Sequence, residues 1–149
     1  MPTNKKLSIG FTLIELIITI TLIGILSTII AVSMVNPPKM ARDAKRKSDL
    51  ELIRSGLEIY SSDCGSYPAT ALFPLPSSTS LSGTTGTCSG NKYITTVPVD
   101  PKSGQNYSYV LTTATTYALC AALEMPSSMS PPSGCNCGAA TCNYVVTNP

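Results

Sequence analysis

Residues 10–35 read GFTLIELIITITLIGILSTIIAVSMV, an apolar run in which Glu15 is the single charged residue. From Phe11 to Val35 the run is long enough to cross a hydrocarbon core as a tilted helix, which needs about 20 residues. A carboxylate at the centre of such a helix costs about 2.5–3.5 kcal/mol on insertion scales, so an acid placed here indicates a function and a charged partner. The sequence therefore predicts a transmembrane or assembly helix over residues 11–35.

The chain reads KKLSIG up to Gly10 and FTLIEL from Phe11 onward. These residues resemble the processing site of type IV pilins and type II secretion pseudopilins. In that family a prepilin peptidase cuts after the glycine and methylates the new N-terminal phenylalanine. The resemblance thus implies cleavage between Gly10 and Phe11, followed by methylation of Phe11.

The resemblance also assigns roles to the charged residues near the cut. Residues 1–10 become a cleaved leader, whose Lys5 and Lys6 would hold the N-terminus in the cytoplasm. Glu15 becomes the fifth residue of the mature chain, which is the position of the family's assembly glutamate. Cleavage leaves a protonated amine on Phe11 and methylation keeps its charge, so Glu15 of one subunit can pair with the Phe11 amine of a neighbouring copy.

Two simpler interpretations of the apolar run stay open. A plain single-pass anchor requires nothing beyond its length. A cleavable secretory signal would use the small residues at 31–33 as its cleavage site, although its apolar part would exceed the usual length of about 7–15 residues.

The residues that follow the apolar run give conflicting signals about topology. Five of them are basic: Lys39, Arg42, Lys45, Arg46 and Lys47. By the positive-inside rule these residues favour a cytoplasmic C-terminus, whereas six cysteines farther along favour an oxidising compartment. We expect residues 36–149 to lie outside the cytoplasmic membrane, on a single-pass chain that later joins an extracytoplasmic filament.

Composition limits the remaining function classes. The chain has 149 residues, 43% hydrophobic and 12% charged, which leaves room for one modest domain after the apolar run. It contains ten basic and eight acidic residues, and no broad basic field points to nucleic acid as the primary partner. It contains no histidine, which excludes histidine-based catalysis and histidine metal ligation within the chain.

A second helix is predicted over residues 39–62. We expect Pro37 and Pro38 to kink or interrupt the helical pattern before it, because proline lacks a backbone donor. Inside the helix, apolar residues recur every three or four positions and form one face that can cover a sheet. They are Leu50, Ile53, Leu57 and Tyr60.

The charges on this second helix suggest a solvated surface. Asp43 and Lys47 are spaced for an i,i+4 ion pair, and Glu51 and Arg54 for an i,i+3 pair. A contact surface for another subunit or for DNA is the alternative interpretation.

The second helix should end near Asp63, because Gly65 can adopt a left-handed cap and Pro68 discourages further helix. Residues 41–68, ARDAKRKSDLELIRSGLEIYSSDCGSYP, also resemble the helix and its exit in major pseudopilins. The following residues to 92 are rich in Ser, Thr, Gly and Pro and predict an irregular loop over 64–92 that Cys88 could tether.

Strand patterns dominate the region 93–149. Residues 107–111 and 117–123 alternate around a Thr/Ala turn and predict an antiparallel hairpin. Residues 144–147 predict a terminal strand, and residues 93–97 are a weaker fourth candidate. The expected fold class is α+β and pilin-like, with a long N-terminal helix, half membrane-embedded and half amphipathic, packed on a small antiparallel sheet.

The six cysteines are disulfide candidates: Cys64, Cys88, Cys120, Cys135, Cys137 and Cys142. They can pair in many ways, and sequence does not choose among them. We expect Cys135 and Cys137 to have different partners, because a bridge across one residue would be strained. A zinc site built on Cys135, Cys137, Cys142 and one further thiolate is the competing interpretation, although the spacing lacks the usual paired C-x2-C pattern.

Asp100 begins the sequence DPKSGQN, which resembles the loop that precedes the sheet in major pseudopilins, some of which bind calcium. Calcium takes about six to eight oxygen ligands, usually with several carboxylates. After the second helix, only Asp63, Asp100 and Glu124 are acidic. We therefore expect a structural turn at Asp100, with calcium as the lesser alternative and no other cofactor or metal.

Together these features predict a non-enzymatic structural subunit that polymerises through its N-terminal helix. The implied partners are copies of the chain and related pilins, prepilin peptidase, an assembly platform with its ATPase, and membrane lipid before assembly. The alternative is a monomeric, membrane-tethered extracytoplasmic binding protein. A thiol enzyme is disfavoured, because the chain has neither a histidine nor a C-x-x-C motif.

Overall fold

The structure, a computed structural model, divides into two compact units between Pro37 and Pro38. It describes residues 10–32, 36–69, 79–84, 86–125 and 127–148, and for residues 29–32 it describes the backbone alone. Lys5 and Lys6 of the predicted leader lie outside this set.

The first unit contains helix α1, Leu13–Val32, in which every described side chain is exposed. Its hydroxyl groups bond to carbonyls of the preceding turn: Thr21 Oγ1 donates to Ile17 O at 3.0 Å and Ser27 Oγ to Ile23 O at 2.7 Å. Because these donors are used within the helix, α1 presents an almost uniformly apolar surface. In the described part of the chain, no helix meets both the length and the hydropathy required of a membrane span.

Helix α2, Pro37–Cys64, is two residues longer at each end than predicted. The helical pattern is interrupted before Pro37, as the sequence predicts, because Asn36 belongs to neither helix, and Pro37 and Pro38 form the first turn of α2. Proline is tolerated there because first-turn amides have no acceptor within the helix. At the other end Gly65 has a φ of 77°, and its amide donates to Ser61 O at 2.9 Å, which ends the helix as the sequence indicates.

The second unit contains a three-stranded antiparallel sheet that confirms the predicted hairpin and terminal strand. Strands β3 (Ser108–Thr113), β4 (Thr116–Ala121) and β5 (Tyr144–Thr147) lie in the order β3-β4-β5. The two earlier strands, β1 (Leu81–Ser82) and β2 (Lys92–Ile94), form a separate sheet. Leu119 of β4 faces Tyr109 on one side and Val146 on the other. The predicted second strand extends to residue 123, but β4 ends two residues earlier, at Ala121.

The front face of this sheet packs on α2 and forms the main core. The predicted apolar face of α2 is buried, with Leu50, Ile53 and Leu57 fully inaccessible. Large side chains of the sheet, including Tyr109, Tyr117 and Leu119, belong to the same cluster. Because full burial of one large apolar side chain is worth about 1.5–3 kcal/mol, this helix–sheet contact is the main source of stability in the unit.

The back face of the sheet has a different character. Alternate residues of β4 and its extension point there, namely Ala118, Cys120 and Ala122. Residues 127–143, called the back cover below, lie over this face and contain no helix or strand among their described positions. The sheet is thus enclosed by a helix on one side and by an irregular segment on the other.

A separate two-stranded sheet joins the region predicted as an irregular loop to the candidate strand that follows it. Strand β1 (Leu81–Ser82) pairs with β2 (Lys92–Ile94), so the candidate strand at 93–97 does not extend the main sheet. A short 3₁₀ turn, Gly86–Cys88, lies between them. Gly56 of α2 permits this sheet to approach, because a Cβ there would lie 2.3 Å from Ile94 Cγ1.

All six cysteines are paired in disulfides: Cys64 with Cys88, Cys120 with Cys135, and Cys137 with Cys142. The first ties the loop after α2 to the end of that helix, as the tether at Cys88 suggested. Cys135 and Cys137 have different partners, as expected. The zinc interpretation is wrong for this structure, since its thiolate ligands are used in disulfide bonds.

Candidate functional site

The residues before α1 place the predicted cleavage bond outside the helix. Residues 10–12 have no regular structure, and Phe11 is 87% exposed. Gly10 is also exposed, and a Cβ built on it would meet nothing within 4 Å. The two residues on either side of this peptide bond are therefore both exposed in the described part of the chain.

Glu15 closes a reciprocal cap with Thr12 at the start of α1. Its Oε2 accepts from the Thr12 amide at 3.0 Å and from Thr12 Oγ1 at 2.8 Å. In return, the Glu15 amide donates to Thr12 Oγ1 at 3.3 Å. This is a capping box, which satisfies amides that a helix N-terminus leaves open. Glu15 thus has a local partner, Thr12. This pairing was not predicted, although the T-x-x-E spacing is visible in the sequence.

In the second unit, Arg46 forms a buried cluster of ion pairs on α2. Its guanidinium is inaccessible and bonds both oxygens of Asp100, at 2.8 and 3.0 Å. It also bonds Asp43 at 2.7 Å and Glu124 at 3.1 Å. The interpretation of this charge run as a solvated face is wrong for Arg46 and Asp43, which are both buried. Arg46 has counter-charges from distant segments, and Asp43 pairs with Arg46 and accepts distant backbone amides.

Arg42 and the backbone complete this Arg46 cluster. Arg42 binds Glu124 through two nitrogens, at 2.6 and 2.7 Å. Asp43 accepts the amides of Glu124 and Met125 at 2.9 and 2.8 Å. The cluster therefore joins α2 to the segment before β3 and to the segment after β4, and positions both against the helix.

The pKa values of the acids follow from these contacts. The Arg42 guanidinium, helped by Arg46, lowers the pKa of Glu124 to about 2. Burial alone would raise the pKa of Asp43, but the Glu124 and Met125 amides and Arg46 outweigh it and hold that pKa below its usual value. Both carboxylates are consequently ionised across the ordinary pH range.

Asp100 also forms the turn that the sequence predicted, since its Oδ1 accepts the Lys102 amide at 2.8 Å. Both of its oxygens already bond Arg46, so this carboxylate has a cationic partner within the chain. Among the described residues, no group of three His, Cys, Asp or Glu side chains is arranged to hold a metal ion. Calcium at Asp100 stays an untested prediction.

Of the two ion pairs predicted on α2, the one between Glu51 and Arg54 is present. Arg54 Nη1 lies 3.4 Å from Glu51 Oε2, as the i,i+3 spacing indicates. The expected partner of Asp43, Lys47, instead lies over the Tyr144 ring, 5.5 Å from its centroid. Asp43 pairs instead with Arg46, at 2.7 Å, and also accepts the backbone amide of Glu124.

Tyrosine hydroxyls donate hydrogen bonds to acidic side chains of α2. The sequence did not predict these bonds. Tyr107 donates to Asp49 at 2.8 Å, while Tyr117 and Tyr67 donate to Glu58 at 2.8 and 2.9 Å. Burial raises the pKa of Tyr107 and of Tyr117. These bonds place polar groups of the sheet and of the turn after α2 in a fixed register along the helix.

Comparison with known proteins supports the N-terminal motif. Residues 5–31 match a family model described as the prokaryotic N-terminal methylation motif. No solved structure matches the chain.

The similar curated proteins share one description, type II secretion system core protein G. The chain is 32% identical to that of Pseudomonas aeruginosa over 114 residues, which cover 72% of this chain and 76% of that protein. It is 29% identical to that of Escherichia coli over 94 residues, covering 62% of this chain and 65% of that protein. For the Aeromonas hydrophila protein the identity is 30% over 67 residues, covering 45% and 47% respectively.

Proposed function

This chain belongs to the family of type II secretion system core protein G, and we propose that it is a structural subunit of a type IV pilus-like or type II secretion pseudopilus filament. It is made as a membrane-inserted precursor and polymerises through α1. The observation that carries this function is the motif from Gly10 to Glu15 at the start of an exposed apolar helix.

The geometry of the N-terminus suggests how the motif acts. Cleavage after Gly10 creates a charged amine on Phe11, one residue before the Thr12 cap. Both Thr12 bonds end on Oε2 of Glu15, and the described residues place no donor on its Oε1. A neighbouring copy can therefore offer its Phe11 amine to Oε1 while the cap holds the carboxylate in position. A preorganised acceptor loses little side-chain entropy when it binds.

The energetics of α1 support exchange of lipid for protein contacts. Its exposed residues include Ile14, Leu22 and Leu26, each at least 56% accessible. Such a surface is stable only in lipid or against other apolar helices. Leaving the membrane for a filament replaces one apolar environment by another, so the specific charge pair at Glu15 can set the register.

The proposed route places the second unit outside the cytoplasmic membrane. Three disulfides in one chain fit an oxidising compartment. Prepilin peptidase, related pilins and an assembly platform with its ATPase are the partners that this route requires. No catalytic role is proposed for the chain.

The test is the mature N-terminus together with inter-subunit crosslinking. In cells with prepilin peptidase we expect a chain that begins at methylated Phe11, seen by N-terminal sequencing and intact mass. Cysteines introduced by Ile17→Cys and Ile23→Cys should then give a ladder of crosslinked subunits, and the same variants in peptidase-negative cells serve as the control. A methylated chain that gives monomers alone would instead support the tethered binding protein.

A further inference from the structure

The back cover is held to the sheet by an unusual set of side chains. On the sheet side, the apolar contacts come from Ala118, Cys120, Ala122 and Val145. On the cover side they come from Cys135, Cys137, Ala140 and Cys142. Half of the residues in this cluster are therefore cysteines in disulfides, and its other members are small.

The front core does not depend on these bonds. It consists of large side chains of α2 and the sheet, such as Leu57, Tyr117 and Leu119. Tyr117 also donates to Glu58 of α2. Alanine methyl groups bury far less area than these side chains, so the two faces of one sheet differ in what holds their covering segments.

Hydrogen bonds fix the last residue of the back cover, Asn143, to Ala121 and Leu123, but they add limited support to the middle of the cover. The Asn136 amide donates to Ser108 Oγ at 3.0 Å, and the Ala139 amide donates to Gly104 O at 2.8 Å. In the reverse direction, the Asn106 amide donates to Cys137 O at 3.2 Å. Each of these bonds can be exchanged for a bond to water if the segment lifts, so they stabilise the closed form only modestly.

The two disulfides have complementary positions. The bond from Cys120 to Cys135 fastens the cover to the middle of the sheet, whereas the bond from Cys137 to Cys142 closes a loop inside the cover. Cys120 and Cys137 are buried, but Cys135 and Cys142 are partly exposed. Each bond thus presents one residue on the accessible side of the cluster to an attacking thiolate.

We propose that the back cover, residues 127–143, is a redox-controlled segment: it closes on the sheet when both disulfides are formed and opens when they are reduced, while the helix–sheet core stays folded. Beyond the proposed function, this gives the second unit two folded states. The closed state is confined to an oxidising compartment, because only there do both bonds persist.

The chemistry of opening is thiol–disulfide exchange with a dithiol. A thiolate attacks Sγ of Cys142, forms a mixed disulfide and releases Cys137 as a thiolate that takes a proton. The second thiol of the reductant then displaces Cys142, so the dithiol becomes a disulfide after giving up two electrons and two protons. Cys135 and Cys120 react in the same way, and a disulfide carrier reverses both steps.

Hydrogen exchange of the full chain in detergent tests this proposal. With dithiothreitol as the reductant, we expect peptides containing Asn106, Asn136 and Ala139 to exchange at least about tenfold faster than in the oxidised chain. Peptides covering Ile53 and Leu57 of α2 should keep their protection. Alkylation followed by mass measurement reports the number of free thiols in the same sample.

Two sets of variants make the result decisive. Serine at Cys120, Cys135, Cys137 and Cys142 should reproduce the fast exchange of the cover without reductant. The matched variant, Cys64→Ser with Cys88→Ser, should leave the cover protected. The proposal is overturned if the fully reduced cover stays as protected as the oxidised one, or if α2 loses its protection to the same extent as the cover.

Discussion

The two helices of this chain use apolar residues in opposite ways. Helix α1 is apolar on all sides, and each of its described side chains is exposed. Helix α2 is longer and amphipathic, with its apolar stripe buried against the sheet. Its buried residues are Asp43, Arg46, Leu50, Ile53, Gly56, Leu57 and Tyr60.

This contrast separates the residues that should govern assembly from those that should govern stability. Apolar area that is already buried within the unit contributes to its folding, whereas area left exposed is available to lipid or to another copy. Acids follow the same division: Glu15 forms a local cap with Thr12, while Asp43 bonds Arg46 and a backbone amide within its own unit. Substitutions in α1 should therefore alter assembly, and substitutions in α2 should alter folding.

The largest effect is expected for Glu15→Gln, which keeps the shape but removes the charge. Filament formation should fall to background, because the amide cannot neutralise the Phe11 amine of a neighbour. Electron microscopy and sedimentation of sheared filaments measure this loss. Glu51→Gln on α2 is the matched control, since Glu51 is exposed and its side chain pairs with Arg54 on the same helix. Wild-type amounts of filament from Glu15→Gln would contradict the assigned role.

Arg46→Met should destabilise the second unit most strongly. Removing the guanidinium leaves Asp43, Asp100 and Glu124 without their shared cation, and breaking a buried ion pair costs about 3–5 kcal/mol. Urea unfolding of the full chain in detergent measures the change in free energy of unfolding. Arg54→Met, at an exposed pair, should cost less than about 1 kcal/mol. Equal effects of the two substitutions would show that burial of Arg46 contributes nothing to the free energy of unfolding.

Leu57→Ala and Leu52→Ala compare a buried and an exposed leucine on the same helix. Leu57 is inaccessible, so its truncation should lower the free energy of unfolding by about 2–5 kcal/mol. Leu52 is 51% exposed, and its truncation should change that free energy by about 0.5 kcal/mol or less. Similar losses at both positions would mean that the buried face of α2 is assigned incorrectly.

The smallest expected effect is the pH dependence of the second unit. The pKa of Glu124 is about 2 in the folded state against an ordinary value of 4.5, so its contribution is fully present above about pH 4.5. That contribution is lost as pH falls from 4.5 towards 2, because the carboxylate must then be protonated. Glu124→Gln should make the melting temperature of the second unit less dependent on pH over this interval. If the variant keeps the wild-type dependence of stability on pH, Glu124 is not the source of that dependence.

Local patterns in the sequence were sufficient for the two helices, for the main sheet and for the N-terminal motif. The 3.6-residue period of Leu50, Ile53 and Leu57 identified the buried face of α2, and alternation identified the hairpin of β3 and β4. Gly65 marked the end of α2. The capping box of Thr12 and Glu15 was equally local, and its three-residue spacing could have been found in advance.

The burial of Arg46 could not be predicted from local sequence patterns. Its partners Asp100 and Glu124 lie 54 and 78 residues away along the chain, so helical spacing rules offered it only neighbours on α2. A charge can be buried when several counter-charges converge on it, and that convergence depends on where the segments beside β3 and β4 are placed.

The amino-acid sequence by itself determined the apolar helix, its processing motif, the stripe of α2 and the strands of the main sheet, because these depend on periodicity and on turn residues a few positions apart. The tertiary structure alone decided the cysteine pairing, the separate sheet of β1 and β2, and the buried cluster around Arg46. Those features require contacts between residues far apart in the chain, and such contacts form only when the complete fold brings them within bonding distance.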